Sequence, residues 1–395
     1  MIKLVKSSFY KEEETKRQLT KFINESEKLS FGPQCELFEK NFSKWHKRRH
    51  CIFVNSGSSA NLSIVQSLLN LGKIKKGDFV GFSAVTWSTN VMPLIELGLN
   101  PVPIDVDLET LNISSKNLNK VLEKYPLKML FLTNLLGFCK DPDKIEAICK
   151  ERKTLLIEDN CESLGTVYKK RLLGNFGIAS TFSFYVGHHM STIEGGAICT
   201  DSDELSNMLK IVRAHGWDRN LSIKKQERIR TAHNVNETFY SRYTFYDLGY
   251  NLRPTEIAGF IGNKQLKYLP EIIKKRRNNF IRLAKSIYKR EDLYYPIKFD
   301  HIELVSNFAV PLICKSKEIR DFLVEKCKDR VEIRPIVGGN INSQPFFQKY
   351  LKDIGKTPNA SLIHKQGLYF GNNPQLSEEE IRTLINIFTR VKIGI

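Results

Sequence analysis

One segment of the chain, Ser183 to Gly196, concentrates residues that can do chemistry beside a phosphate. It reads SFYVGHHMSTIEGG. The hydroxyl of Ser183 can donate to a phosphate oxygen, the glycines Gly195 and Gly196 let backbone approach closely, and an imidazole acts as a general base near neutral pH. We therefore treat the segment as part of a candidate site for a phosphorylated ligand.

A second segment, NSGSSANL, has the composition of a turn that opens a helix. The N–H groups of Gly57, Ser58 and Ser59 are expected to point outward at the positive end of that helix, where phosphates commonly bind. Serine and glycine at such a turn are also typical of an ordinary helix N-cap. The motif alone leaves both interpretations open.

Two further candidates follow predicted strands. Asp159 ends the apolar run of TLLIEDNCESLG, where its carboxylate can hold a protonated ring nitrogen or simply begin a turn. Trp87 follows the run GFSAVT and offers a flat face for stacking, although a lone aromatic is often a core residue. Together, the order and the strand-end placement of these residues indicate one phosphorylated heteroaromatic cofactor.

The hydrophobic pattern predicts the scaffold that positions these residues. Between residues 51 and 200, short apolar runs alternate with helical stretches: CIFVN, DFVGFS, NPVPIDV, LKMLFLT, TLLIED, ASTFSF and GGAICT. Such alternation predicts an α/β fold with a mainly parallel sheet covered by helices on both faces. Ligands of these sheets lie beyond the carboxyl ends of the strands.

The pattern changes after GYNLRPTEIAGFIGNKQLKYLP, where we predict a long basic helix, PEIIKKRRNNFIRLAKSIYKR. We therefore expect a boundary near residue 265. Residues 1–264 are predicted to form an N-terminal segment and the large cofactor-binding domain, and residues 265–395 a smaller C-terminal domain.

The composition argues against several classes of protein. The 395 residues are 41% hydrophobic and 26% charged, and we find neither a membrane-spanning run nor the apolar core of a signal peptide, so we expect a cytoplasmic protein. The net charge of +18 is spread along the chain. Without a recognised binding module it indicates a solvated basic surface or attraction of an anionic substrate, not nucleic-acid binding. The eight cysteines include no CxxC or CxC pair, so we expect neither a disulfide framework nor a metal knuckle.

Four segments, in this order, resemble motifs of one known family: SGSSANL, EDNCESLG, SFYVGHHMSTIEGGAICT and LGYNLRPTEIAGFIGNKQL. The family is that of the DegT/DnrJ/EryC1/StrS sugar aminotransferases, which are pyridoxal-phosphate enzymes of fold type I. The resemblance implies a large domain with a mainly parallel seven-stranded sheet and a smaller C-terminal α+β domain. It further implies that Gly57, Ser58 and Ser183 hold the cofactor phosphate, that Trp87 stacks on the ring, and that Asp159 pairs with the ring nitrogen.

The same resemblance assigns residues further along the chain. Glu162 falls where most of the family has a glutamine near the ring, and Asn251 matches an asparagine that reaches the phosphate of the neighbouring subunit. A homodimer with shared active sites is therefore implied. His215 and Arg219, in RAHGWDRN, and Arg334, in VEIRPIV, are candidates for binding the sugar, a glutamate carboxylate or a diphosphate. Arg219 can equally be a surface charge at a helix end.

At one position the sequence departs from the aminotransferases of this family. They carry a lysine five residues after the serine of SF, and this lysine forms a Schiff base with the cofactor; here that residue is His188, and His189 is its neighbour. An imidazole cannot form that bond, so the cofactor would be held non-covalently as pyridoxal or pyridoxamine phosphate, with His188 as a base. The combination resembles the nucleotide-sugar 3-dehydratases of the family. It implies removal of the C3 hydroxyl from GDP-4-keto-6-deoxymannose, with L-glutamate regenerating pyridoxamine phosphate.

Related functions differ from this one in their chemistry or in their nucleotide. A 4-aminotransferase of the perosamine type would lack its lysine, whereas a 3-dehydratase acting on a CDP- or dTDP-sugar would share these motifs. Relatives that use an iron–sulfur cluster need four cysteine ligands, including a C-x-C pair, and no cysteine lies between Cys199 and Cys314. We therefore expect neither a cluster nor another metal. A non-catalytic regulator ranks last, because no helix-turn-helix segment is appended.

Overall fold

The computed structural model describes residues 1–351 and 355–391. The α-helices are α1 Glu12–Glu25, α2 Pro33–His46, α3 Gly57–Asn70, α4 Met92–Glu96, α5 Ser115–Leu122, α6 Pro142–Glu151, α7 Asp203–Arg213, α8 Ile223–Ala232, α9 Thr238–Ser241, α10 Glu256–Ile287, α11 Lys317–Cys327, α12 Pro345–Tyr350, α13 Pro358–Gln366 and α14 Glu378–Thr389. The strands are β1 His50–Val54, β2 Phe79–Ser83, β3 Asn100–Ile104, β4 Leu127–Thr133, β5 Leu155–Asp159, β6 Val167–Tyr168, β7 Arg171–Leu172, β8 Ala179–Ser183, β9 Gly196–Thr200, β10 Ala309–Ile313, β11 Ile333–Pro335 and β12 Gly367–Gly371.

Seven strands form the central sheet, in the order β1-β9-β8-β5-β4-β2-β3. The run from β8 to β3 is parallel, whereas β9 is antiparallel to both β8 and β1. Each of the seven apolar runs of the sequence forms one of these strands, and the predicted α/β fold with a mainly parallel sheet is confirmed. Because β9 is antiparallel to both of its neighbours, β1 and β8 run in the same direction.

The carboxyl ends of β1, β2, β5 and β8 therefore lie at one edge of the sheet. Gly57 opens α3 after β1, Trp87 follows β2, Asp159 ends β5 and Ser183 ends β8. The antiparallel strand β9 starts at the same edge with Gly196. A Cβ at Gly196 would lie 2.2 Å from a backbone oxygen of the turn before α3, so only glycine lets this strand pass so close to that turn.

The smaller C-terminal part is built on a second, antiparallel sheet with the order β10-β12-β11. Helices α11, α13 and α14 accompany these strands, which is the α+β arrangement expected for this part of the chain. None of the helices within the two described ranges has the length and apolar character needed to span a membrane.

The long helix α10 joins the two parts, and our prediction of its start is wrong. We expected it to begin at Pro270, but it begins at Glu256 and runs through the proline. The hydroxyl of Thr255 caps the earlier start by accepting the N–H of Ala258, and packing against α2 supports the helix there. The boundary between 1–264 and 265–395 falls inside this helix, and the division into two domains stays a prediction.

Candidate active site

Gly57 and Ser183 lie against each other where α3 and β8 meet. A Cβ at Gly57 would come 2.6 Å from the Cβ of Ser183 and 3.1 Å from its Oγ. Ser56 caps α3 by accepting the N–H of Ser59 at 3.0 Å, so the expectation that the Ser59 N–H points at a ligand is wrong. The N–H groups of Gly57 and of the exposed Ser58 stand at the start of the helix, beside the Ser183 hydroxyl.

Asp159 is a buried carboxylate that accepts three hydrogen bonds. Its Oδ2 accepts from the side-chain amides of Asn61 at 3.0 Å and Asn90 at 2.7 Å, and its Oδ1 accepts from the backbone N–H of Cys161 at 2.9 Å. Our sequence reasoning missed both asparagines, although Asn61 is a polar residue on the buried face of a mainly apolar helix.

Trp87 begins the 3-10 turn Ser88–Asn90. Because Asn90 of this turn donates to Asp159, the turn is fixed relative to the carboxylate. The side chain of Trp87 is 55% exposed, so it is not a core residue in this chain. Its ring face is available for stacking on a planar ligand.

His188 is half-buried, and its ring lies 5.9 Å from that of Tyr185 and 5.2 Å from that of Phe308, measured between ring centroids. Burial lowers the pKa of His188 to about 4, while the charge of Asp159 acts in the opposite direction. Arg276 donates to the backbone oxygen of His188 at 3.0 Å and so fixes this part of the segment. The imidazole is therefore neutral at pH 7 and able to accept a proton.

Glu162 also lies close to Asp159. Its Oε2 accepts the backbone N–H of Leu136 at 3.0 Å. Burial and the charge of Asp159 raise the pKa of Glu162 to about 8, against the effect of the Leu136 hydrogen bond. On the C-terminal sheet, burial and the charge of Glu162 raise the pKa of Tyr369. Arg334 stands opposite Tyr369 in the strand register, so the structure brings this candidate near the same site.

The candidates His215, Arg219 and Asn251 form a second group, which we call the α7 cluster. Arg253 donates to the Oδ1 of Asn251 at 3.0 Å, and its guanidinium lies 3.5 Å from the His215 ring nitrogen. The Arg219 guanidinium lies over the ring of Trp217, 3.9 Å from its centroid. Among the described residues, no hydrogen bond or ion pair links the α7 cluster directly to the Asp159 side chain or to His188 within one chain.

The residues at the sheet edge fit a phosphorylated pyridine cofactor. The Gly57–Ser183 contact leaves a cradle that a Cβ would fill, Asp159 supplies a buried acceptor fixed by three donors, and Trp87 supplies a free ring face. In the part of the chain that the structure describes, we find no group of three or more His, Cys, Asp or Glu side chains placed to hold a metal ion. The fold is thus that of a pyridoxal-phosphate-type enzyme of fold type I, and the residues at the sheet edge suit its cofactor.

Comparison with known proteins agrees with this class. The chain belongs to the DegT/DnrJ/EryC1/StrS aminotransferase family, whose sequence profile matches residues 10–389. It is 35% identical to a GDP-4-keto-6-deoxy-D-mannose 3-dehydratase of Yersinia pseudotuberculosis, over 93% of this chain and 94% of that protein. It is 27% identical to a GDP-perosamine synthase of Escherichia coli O157:H7, over 89% of this chain and 88% of that protein.

A solved structure extends the comparison to three dimensions. A GDP-4-keto-6-deoxymannose-3-dehydratase with a trapped PLP–glutamate geminal diamine superposes with a TM-score of 0.88 at 31% identity, covering 98% of this chain and 100% of that one. The resemblance that we drew from four motifs is confirmed across the length of the chain.

Proposed function

We propose that this protein is a pyridoxamine-phosphate-dependent nucleotide-sugar 3-dehydratase that converts GDP-4-keto-6-deoxymannose to the 3-deoxy-4-keto sugar. One observation carries the proposal. His188, a neutral imidazole, occupies the position five residues after Ser183, at the edge of the sheet where Asp159 ends β5. The 35% identity to a dehydratase of this GDP-sugar supports the choice of substrate.

The chain's own residues hold the cofactor without a covalent bond. The N–H groups of Gly57 and Ser58 and the hydroxyl of Ser183 bind the phosphate at the positive end of α3. Asp159, fixed by its three donors, accepts the ring N–H. Trp87 covers one ring face. When bound, pyridoxamine phosphate supplies an amine that can condense with a sugar ketone and a ring that accepts electrons.

His188 moves the proton. Its imidazole is neutral at pH 7, so it takes a proton from the carbon that bears the cofactor amine, as a general base does. A base that is not itself attached to the cofactor leaves the amine free to meet the ketone. L-Glutamate would then restore pyridoxamine phosphate, in agreement with the PLP–glutamate adduct trapped in the related dehydratase structure.

We further propose a homodimer in which each active site is completed by the partner. The α7 cluster carries Asn251 together with the substrate-binding candidates His215 and Arg219, yet no direct polar contact among the described residues joins it to the Asp159 carboxylate of its own chain. Large apolar side chains stand exposed next to the cluster in sequence, including Phe239, Tyr240, Tyr243, Phe245 and Leu248. Several large apolar side chains exposed in one segment are typical of an interaction surface.

Subunit mixing tests the shared site. His188→Asn removes the base of a chain's own site, and Asn251→Asp places a negative charge where that chain is proposed to contact the phosphate bound by its partner. Each variant alone should be inactive. After the two are refolded together, random pairing gives a heterodimer with one intact site, so about a quarter of the wild-type activity should return if the interface is isologous. No recovery in a mixture shown to contain heterodimers would contradict the shared site.

The second candidate is a nucleotide-sugar 4-aminotransferase of the perosamine type. The 27% identity to GDP-perosamine synthase favours it, but His188 cannot bind the cofactor as a lysine does. The variant His188→Lys tests this position directly. It should form a borohydride-reducible, visible-absorbing adduct with pyridoxal phosphate, whereas the wild type and His189→Lys should not.

The decisive experiment measures the mass of the nucleotide-sugar product. Purified protein is incubated with pyridoxal phosphate, excess L-glutamate and GDP-4-keto-6-deoxymannose, and in parallel with the corresponding CDP- and dTDP-sugars. A product that lacks the C3 oxygen and contains no nitrogen supports the dehydratase. A nitrogen-containing product contradicts it and supports the aminotransferase, while turnover of only the CDP- or dTDP-sugar would reassign the nucleotide.

The proposed reaction implies a cellular compartment and a final product. We infer that the enzyme works in the cytoplasm without an iron–sulfur cluster, a membrane or a nucleic acid as partner, and that its product leads to colitose in the O-antigen of a lipopolysaccharide. Deleting the encoding gene should remove the 3,6-dideoxysugar from the surface polysaccharide, measured by sugar analysis. An unchanged polysaccharide would contradict this setting.

A further inference from the structure

A small pocket lies beside the segment that carries His188, between the N-terminal residues and α10. Its volume is about 30 Å³, which is room for about one or two particles of the size of a water molecule. The pocket is lined by residues 7–10, residues 186 and 188–191, residues 373–375, and Gln265, Ile272 and Arg276 of α10. It therefore adjoins the proposed base. We call it the Arg276 pocket.

Two buried side chains of the Arg276 pocket have unused hydrogen-bonding atoms. Arg276 is 6% exposed, and its Nη1 and Nη2 donate to the backbone oxygens of Asn372 at 2.6 Å and His188 at 3.0 Å. Its Nε has no hydrogen-bond partner among the described residues. His189 is 2% exposed, and neither of its ring nitrogens has such a partner there. The pocket thus offers donors that the protein itself leaves unmatched.

The positive charge of Arg276 has no balancing charge in the described part of the chain. Both oxygens to which it donates belong to the neutral backbone, and no Asp or Glu occurs among the described residues that line the pocket. Burial alone lowers the pKa of Arg276, to about 9, so the group is still a cation at pH 7. A buried cation is costly without an anionic partner, and the pocket therefore favours an anion.

The charged groups in the surroundings are engaged elsewhere. Glu271 accepts the hydroxyl of Tyr10 at 2.7 Å and lies 3.3 Å from the ammonium of Lys275. Asp159 acts on His188 from the cofactor side and is fixed there by its own donors. The other groups next to His188 are His189, which is uncharged at pH 7 because burial lowers its pKa, and the rings of Tyr185 and Phe308.

We propose that the Arg276 pocket binds one halide ion, chloride in the cell, held by the guanidinium of Arg276 and a ring N–H of His189. A neutral imidazole has one N–H to donate, and a monatomic ion suits a pocket too small for a phosphate group or a nucleotide. The ion balances the charge of Arg276, so that His188 takes its proton beside a neutral pair. The effect on the base rests on the proposed dehydratase function, whereas the site itself does not.

Unfolding by urea measures halide binding without turnover. At pH 7 and constant ionic strength, replacing sodium gluconate by sodium chloride should raise the unfolding midpoint and reach a plateau, because a ligand of the folded state stabilises it until the site is full. Arg276→Gln should abolish the rise. The matched variant Arg277→Gln, which changes the next and exposed position of α10, should keep it. Equal midpoints for the wild type in the two salts, or a rise that both variants share, would overturn the proposal.

A second variant covers the case in which Arg276→Gln does not fold. His189→Leu keeps the guanidinium but removes the donor, and a hydrogen bond to a charged group is worth about 1.5–3 kcal/mol. The halide dissociation constant should therefore rise at least about tenfold. An unchanged constant would exclude His189 as a ligand.

Bromide locates the ion directly. Crystals grown in sodium bromide without chloride should show an anomalous-scattering peak in contact with Arg276 and His189. Water alone in the pocket, with bromide only on the protein surface, would overturn the proposal.

The pH dependence of turnover tests the effect on the base. An anion near an imidazole favours its protonated form, so chloride, compared with gluconate, should move the acidic limb of the single-turnover rate of the wild type to higher pH. The limb should not move in Arg276→Gln. An unmoved limb in a wild type that binds bromide in the pocket would refute the effect on His188. If no dehydrated product forms at all, the proposed function fails, while the urea titrations and the bromide crystals still decide the halide site.

Discussion

The contact between Gly57 and Ser183 gives a quantitative test of the phosphate cradle. In Gly57→Ala, the new Cβ would lie 2.6 Å from the Cβ of Ser183, whereas carbon atoms in favourable contact are about 3.5–4.0 Å apart. The start of α3 and the end of β8 must therefore separate by about 1 Å. Overpacking of this size costs about 1–3 kcal/mol. The nearest atom is the Cβ of a strand residue, which cannot move aside as the end of a flexible side chain can.

Two measurements should register this strain. The free energy of unfolding of the cofactor-free protein, from urea titration, should fall by about 1–3 kcal/mol. The affinity for pyridoxamine phosphate should fall at least about tenfold, because tenfold corresponds to about 1.4 kcal/mol and the separated N–H and hydroxyl groups no longer converge on one phosphate. Quenching of tryptophan fluorescence, with Trp87 at the proposed ring site, can follow binding.

A double-mutant cycle identifies the cause. Ser183→Gly removes the Cβ that the alanine would strike, so in the double variant the loss of stability from Gly57→Ala should largely disappear. The two substitutions should thus be strongly non-additive in unfolding free energy, with a coupling of at least about 1 kcal/mol, as expected for residues in direct contact. Additive effects, or a Gly57→Ala variant with wild-type affinity and stability, would refute the cradle geometry.

Other residues give separate expectations. Asp159→Asn removes a charge-assisted hydrogen bond, worth about 1.5–3 kcal/mol, so pyridoxamine phosphate should bind at least about tenfold more weakly; unchanged binding would exclude Asp159 as the partner of the ring nitrogen. Glu158→Ala leaves four donors without an acceptor and should lower the unfolding free energy by at least about 3 kcal/mol, whereas the exposed Glu151→Ala should not. Burial lowers the pKa of His188 to about 4 and that of His46 to about 3, below the ordinary value of 6.5. As the pH falls from 6.5 toward 4, the unfolded chain binds protons that the folded protein does not, so stability should fall over this window. Urea midpoints at pH 7 and pH 5 check this, and His46→Gln should reduce the difference; equal midpoints for the wild type would contradict it.

The sequence was sufficient to predict the sheet and the edge at which the site lies. Each strand is a short apolar run, and the polar residues that follow β5 and β8 stand at its end because a parallel sheet places all carboxyl ends together. The start of α10 was not predictable in the same way, because Pro270 is usually a helix breaker. The cap at Thr255 and the packing on α2 outweigh that local preference.

The hydrogen bonds at the site could not be predicted, because they join residues that are far apart in the sequence. Asn61 and Asn90 precede Asp159 by 98 and 69 residues, and no spacing rule connects them to it. The N–H of Leu136 reaches Glu162 because Leu136 takes a left-handed conformation, with φ 52°. This conformation is unusual for a leucine and leaves no signal in the composition. The sequence therefore identified Asp159 and Glu162, but not Glu158 and not the donors to these carboxyl groups.

The hydrogen bonds around this segment separate two structural tasks. Glu158 accepts four donors supplied by two loops and so holds those loops to the end of β5. Asp159 accepts amides from α3 and from the Trp87 turn, which fix its carboxyl group at the edge of the sheet. The replacement of lysine by His188 fits this arrangement, because a base that is not bound to the cofactor leaves the cofactor amine free to react with the sugar ketone.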